Sequence, residues 1–378
     1  ITGAKLFTGE HFLDDHALII DGERILAVLP IDQVPSAMDR LALEGGILAP
    51  GFIDTQVNGG GDVLFNKQPN IEGLQAMVRS HRAFGTTGMM PTLISDEQAV
   101  LERGVSAVKA AFKQGEPGIL GLHIEGPFFN PVRRGTHKET CIREPQGQDI
   151  EWLCQIPPLP CIVTLAPEKT LPGQIRTLSE AGLLVCAGHT DALSADVSAA
   201  ISEGLRGFTH LFNAMRPLQG REPGVVGAAL DDANSWCGII ADGHHVDPMS
   251  IRVAVAAKAV GKVMLVTDAM ATVGGELDHF QIYDETIYAR DGKLVNAEGA
   301  LAGSAIGMID ALRICHKTVG IDLVECLRMA SLYPAEFLNI ATEKGRLQTG
   351  YIADLVHFSP DCRDVHCTWI GGRAMSHD

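Results

Sequence analysis

Four stretches of this 378-residue chain end an apolar run with a side chain able to bind a cation or carry a proton. They are "GLHIE" ending in Glu125, "LLVCAGH" in His189, "GFTH" in His210 and "VMLVTDA" with Asp268. Two neutral imidazoles and a carboxylate leave one position of a tetrahedral ion open, the catalytic rather than the structural arrangement of zinc. A cation held so acidifies bound water and polarises a carbonyl. A carboxylate within hydrogen-bond reach, here Asp268, can take the water proton and deliver it to a leaving amine. Singly, each residue reads as a hydrogen-bonded side chain at a strand end; together they read as a metal-dependent hydrolytic centre.

Bringing four such residues together requires separate strands whose C-terminal ends share one mouth. Continuous apolar runs at 47–57, 86–94, 118–125, 161–168, 182–189, 207–213, 236–243 and 262–269 supply eight strands. Unbroken runs of this kind are buried on both faces, and helical stretches such as 96–113, 192–204, 248–260 and 306–318 between them imply parallel pairing. The expected fold is α/β, a (β/α)8 TIM-type barrel over residues 49–340. An open doubly wound sheet is the alternative, disfavoured because no G-x-G-x-x-G follows the first strand. Residues 1–48 and 341–378 alternate short apolar runs with turn signals, Asp21-Gly22 and Gly371-Gly372 among them, and are expected to pair as one small β-sandwich domain. Residues 274–304 read as a β-hairpin insertion after the eighth strand.

Other polar residues expected at the mouth are Asp54, Gln56, Asn58, Thr92, Glu168, Asn213, Asp242, His244 and His245. Adjacent histidines point different ways, so at most one of His244 and His245 faces the site. His123, two residues before Glu125, is read as a packed structural histidine. The loops after Glu125 and His210 carry Arg133, Arg134, His137 and Lys138, and Arg216 and Arg221. Basic groups at the mouth of an acidic protein suggest an anionic substrate group such as phosphate.

The formal charge of -16, without basic tracts interleaved with aromatics, argues against a nucleic-acid partner. No uninterrupted apolar segment is long enough to span a bilayer, and "ITGAKLFTGEHF" lacks a signal-peptide apolar core, so no membrane partner is expected. Nine cysteines without a C-x-x-C pair fit a reducing compartment, and the expected location is cytoplasmic.

The segments "PGFIDTQVNG", "GLHIEGPFFN", "RRGTHKE", "VTLAPE", "AGHT", "THLFNAM", "GREPG", "GIIADGHHV", "LVTDA" and "GRLQTGYIADLV" follow in order along essentially the whole chain. As a set they resemble the N-acetylglucosamine-6-phosphate deacetylase family of the amidohydrolase superfamily. The resemblance implies hydrolysis of the acetamide of a phosphosugar in amino-sugar catabolism, with Glu125, His189 and His210 on the metal and Asp268 as general base and acid. It further implies that His137 and His245 contact the sugar or polarise the amide, with Thr136 beside them. Asn213, Ala214 and Arg221 would hold the phosphate, and Ala302, Gly303 and Ser304 would line the substrate. Arg221 would reach the neighbouring subunit's site, which implies a homodimer. Some relatives carry His-x-His on the first strand and bind two metals; here Gln56 and Asn58 stand instead. One divalent ion per subunit is therefore expected, zinc first, with iron, cobalt, manganese or nickel as alternatives. The rival readings are an amidohydrolase acting on a cyclic amide or deaminating a small substrate, and an inactive barrel serving as a scaffold.

Overall fold

A computed structural model describes residues 1–377. The eight apolar runs form one parallel sheet: β1 Phe52–Val57, β2 Thr86–Ile94, β3 Leu122–Glu125, β4 Cys161–Leu165, β5 Leu184–Ala187, β6 Gly207–Phe208, β7 Trp236–Ile240 and β8 Val263–Val266. Helices α1 Ile71–Arg82, α2 Gln98–Gln114, α3 Gly147–Cys154, α4 Gln174–Glu180, α5 Ser194–Ser202, α6 Gly224–Asp231 and α7 Pro248–Ala257 link successive strands, and α8 Met308–Ile314 follows the last. The ring closes just past the strands: the Asp268 amide donates to the Gln56 carbonyl at 3.0 Å and the Asn58 amide to the Ala269 carbonyl at 2.9 Å. This is the expected (β/α)8 architecture. Among the described residues no helix is long and apolar enough to cross a membrane.

The run at 47–57 is two strands rather than one. Ile47–Pro50 pairs with Lys5–Phe7 and Leu355–Phe358 in a second sheet, while Phe52–Val57 enters the barrel. The change of sheet falls at Pro50, which has no amide to donate, and at Gly51, where a Cβ would lie 2.0 Å from Thr87 Oγ1. The second sheet draws six strands from both ends of the chain, and the hairpin His16–Asp21 with Arg24–Pro30 covers it. Leu18 and Ile25 of the hairpin meet Leu6, Leu48, Leu355 and Trp369 of the sheet in one buried cluster. Gly371-Gly372, both at positive φ, make the predicted turn. The 274–304 insertion forms three antiparallel strands instead of two: His279–Ile282, Glu285–Arg290 and Lys293–Val295. Its Phe280, Ile282 and Leu294 pack on Ile94 and Met270 at the barrel mouth.

Burial also leaves a titration signature away from the mouth. His81 in α1 is fully buried and bonds the Gly59 carbonyl through Nε2 at 2.8 Å, and burial lowers its pKa to about 4. The unfolded chain, with an ordinary histidine, therefore binds the extra proton first. Stability conferred by neutral His81 is present above the unfolded value of 6.5 and is lost as pH falls through the folded value of about 4. His81→Gln can still donate to Gly59 but does not titrate. Between neutral pH and about pH 4.5 the parent should lose roughly 2–3 kcal/mol more stability than the variant in urea unfolding. Equal losses would mean that His81 does not carry this dependence.

Candidate active site

Glu125, His189, His210 and Asp268 each sit where the chain leaves a strand, and three do so through the left-handed region: His189 at φ 51, His210 at φ 35 and Asp268 at φ 53. These turns end the ladders early and direct the side chains to one place. His210 Nε2 lies 3.0 Å from Glu125 Oε1 and 3.0 Å from His189 Nε2, and His189 Nε2 lies 3.3 Å from the same carboxylate oxygen. The three residues are at most 5% exposed. Among the described residues they form a group of three His, Cys, Asp or Glu side chains whose ligand atoms lie within 4.8 Å of one another.

The donor set suits a divalent cation. His189 Nδ1 faces the Arg133 carbonyl at 2.9 Å and must donate to it, which leaves Nε2 as a lone pair. Burial alone would push Glu125 up, but the imidazoles of His189 and His210 packed against the carboxylate outweigh it and hold the carboxyl well below its ordinary range. A buried carboxylate and imidazole nitrogens crowded onto one point are a donor set of the kind divalent transition metals take.

Gln56 and Asn58 face this cluster with their amide nitrogens. Gln56 Nε2 donates to both Glu125 oxygens and to Asp268 Oδ1, each at 3.1 Å, and Asn58 Nδ2 donates to Asp268 Oδ1 at 2.6 Å. Where a second cation would neutralise two carboxylates, two neutral amides hold them together by hydrogen bonds. Burial first, and then the charge of Glu125, raise the Asp268 pKa to about 6. That value suits a base working near neutrality.

These groups open on a cavity of about 190 Å³ that is also lined by Thr136 and His137, by Asn213 and Ala214, by His245 and by Gly303. His245 is fixed by Asp242, 2.6 Å from its Nδ1, while His244 is exposed, so one of the pair faces the site. Ala302 and Ser304 are buried behind the lining; the Ser304 amide donates to the Asp268 carbonyl at 2.9 Å and so supports that turn. Arg221 stands exposed, outside the cavity.

The expected basic mouth is largely neutralised. Arg133 and Arg216 both pair with Asp191, and Lys138 pairs with Asp284 at 3.0 Å. Glu168 and Thr92 are framework: Glu168 accepts from Asn130 and from the Asp191 amide, and Thr92 accepts from the Val57 amide. His123 is buried between the Thr55 carbonyl and Thr164 Oγ1, as a structural histidine should be. One residue was missed. Ser95, directly after β2, bonds His137 Nδ1 through Oγ at 2.9 Å. A polar residue closing the run "TLIS" was the available signal.

The Amidohydrolase family model matches residues 47–375, and the NagA composite domain model matches residues 1–48. The chain is 40% identical to the N-acetylgalactosamine-6-phosphate deacetylase of Shewanella sp. (strain ANA-3), over 99% of this chain and 95% of the relative. It is 34% identical to the N-acetylglucosamine-6-phosphate deacetylase of Haemophilus influenzae, over 94% of each chain. The crystal structure of N-acetylglucosamine-6-phosphate deacetylase from Pasteurella multocida superposes with a TM-score of 0.96 at 36% identity, covering 99% of this chain and 98% of the other.

Proposed function

Because this chain belongs to the amidohydrolase family, we propose that it hydrolyses the acetamide of N-acetyl-D-glucosamine 6-phosphate, releasing acetate and D-glucosamine 6-phosphate. The observation that carries this reading is the convergence of Glu125, His189, His210 and Asp268 on one cavity. The end-to-end similarity to deacetylases names the substrate class. A second reading, the galactosamine epimer, is favoured by the 40% identical relative.

Glu125, His189 and His210 would hold one divalent cation, zinc foremost, which as a Lewis acid would polarise the acetyl carbonyl and acidify water. The remaining work falls to the chain. Asp268 accepts the proton of the attacking water as the new C–O bond forms. His137 offers a hydrogen bond to the oxygen that gains charge, and Asp268 returns the proton to nitrogen as the C–N bond breaks. Thr136, Asn213, Ala214, His245 and Gly303 bound the space for the sugar, with Ala302 and Ser304 behind them.

None of the cavity-lining residues is Lys or Arg. A substrate phosphate therefore needs a cation from outside the cavity, and exposed Arg221 of a second copy would supply it in a homodimer. The nine cysteines form no disulfide among the described residues, which supports the cytoplasm as the working compartment.

Acetate release should be at least about 10²-fold faster, as kcat/KM, from a 6-phosphorylated N-acetylhexosamine than from the unphosphorylated sugar. Comparing the gluco and galacto epimers in that assay chooses between the two readings. Hydrolysis of a cyclic amide with none of either phosphosugar would overturn both, and a monomer in sedimentation would remove Arg221 from its role.

A further inference from the structure

We propose that Ser95 is a positioning residue that fixes His137 as the neutral tautomer protonated on Nε2, so that the imidazole meets the substrate as a hydrogen-bond donor. The catalytic consequence rests on the deacetylation reading; the tautomer does not. The Ser95 backbone amide points at His137 Nδ1 from 3.3 Å, and Ser95 Oγ lies 2.9 Å from the same nitrogen. A backbone N–H can only donate. The nitrogen that receives it must offer a lone pair, and a neutral imidazole with its lone pair on Nδ1 carries its proton on Nε2. The ring has little freedom to turn away, being buried with Phe129 at 4.9 Å and His189 at 4.5 Å between centroids.

Ser95 is itself held from two sides. The Tyr283 hydroxyl, from the three-stranded insertion, donates to the Ser95 carbonyl at 2.5 Å. On the other side Gly126, at φ +87, passes so close that a Cβ there would lie 2.2 Å from Ser95 Oγ. Ser95 thus lies where β2, the turn after β3 and the insertion meet, and its amide and hydroxyl set the ring that lines the cavity. The direction matters for chemistry. When water adds to the acetyl carbonyl, negative charge grows on oxygen, which an Nε2–H stabilises and an Nε2 lone pair would repel.

The test uses isotope-labelled histidine in the full-length enzyme and nitrogen–proton correlations at neutral pH, with His137 identified as the signal set missing from His137→Gln. The parent should show Nε2 protonated and Nδ1 bare; Ser95→Ala keeps the backbone amide and loses only the hydroxyl, so it should loosen the ring and admit a minor population of the other tautomer. On N-acetylglucosamine 6-phosphate, Ser95→Ala should lower kcat by about 5- to 10-fold with KM changed by no more than about 2-fold. It should add nothing in the His137→Gln background. A parent protonated on Nδ1, or an equal slowing by Ser95→Ala in the two backgrounds, would overturn the assignment. A parent inactive on both phosphosugars would end the deacetylation reading, and the NMR arm alone would then uphold or overturn the tautomer.

Discussion

Asp268→Asn is expected to keep its bound metal and to lose about 10²- to 10⁴-fold in kcat on the phosphosugar. The substitution preserves shape, and an amide oxygen can still accept from Gln56 and Asn58, whose nitrogens lie 3.1 and 2.6 Å from Asp268 Oδ1. What it removes is the ability to take a proton from water and return it to nitrogen. Because burial and Glu125 place the Asp268 pKa at about 6, the parent carboxylate is mostly ionised at neutral pH and ready as a base. Metal content by elemental analysis and kcat from acetate release are measured on one sample. A loss smaller than about tenfold would show that the proton travels by another group.

His210→Asn should fail in the opposite order, losing the metal first and the activity as a result. Its Nε2 is within 3.0 Å of both other candidate ligands, so no neighbouring donor can replace it without moving. Lewis-acid stabilisation is worth several kcal/mol, or roughly 10³-fold in rate at 1.36 kcal/mol per decade. After dialysis against a chelator and return of one equivalent of zinc, the parent should recover both metal and turnover, and the variant neither. Unchanged circular dichroism would establish that the variant is folded. A folded variant that retained a full equivalent would remove His210 from the coordination sphere.

The barrel was legible because parallel strands buried on both faces must be nearly continuous apolar residues, and β4 (CIVTL), β5 (LVCA) and β8 (VMLV) are. Strand ends were less so. The run 207–213 shrinks to Gly207–Phe208 because the backbone turns left-handed at His210, and β5 and β8 stop short before His189 and Asp268 in the same manner. Nothing local announces these turns, since non-glycine residues there cost about 1–3 kcal/mol each and persist only when surrounding structure holds them. The metal-ligand candidates were readable as residue types at strand ends. Ser95 was not, because its importance lies in a contact 42 residues away. The charge balance of the mouth was hidden for a similar reason: Arg133 and Arg216 look free until the fold brings both to Asp191.

The covering sheet built from both chain ends also dictates an order of events at birth. Ile47–Pro50 is hydrogen-bonded on one side to Lys5–Phe7 and on the other to Leu355–Phe358, a partner made some three hundred residues later. At a synthesis rate of about 5–20 residues per second, that flank of the nascent layer waits on the order of 15–60 s for its neighbour. Synthesis must therefore pass residue 358 before these two flanks can clasp.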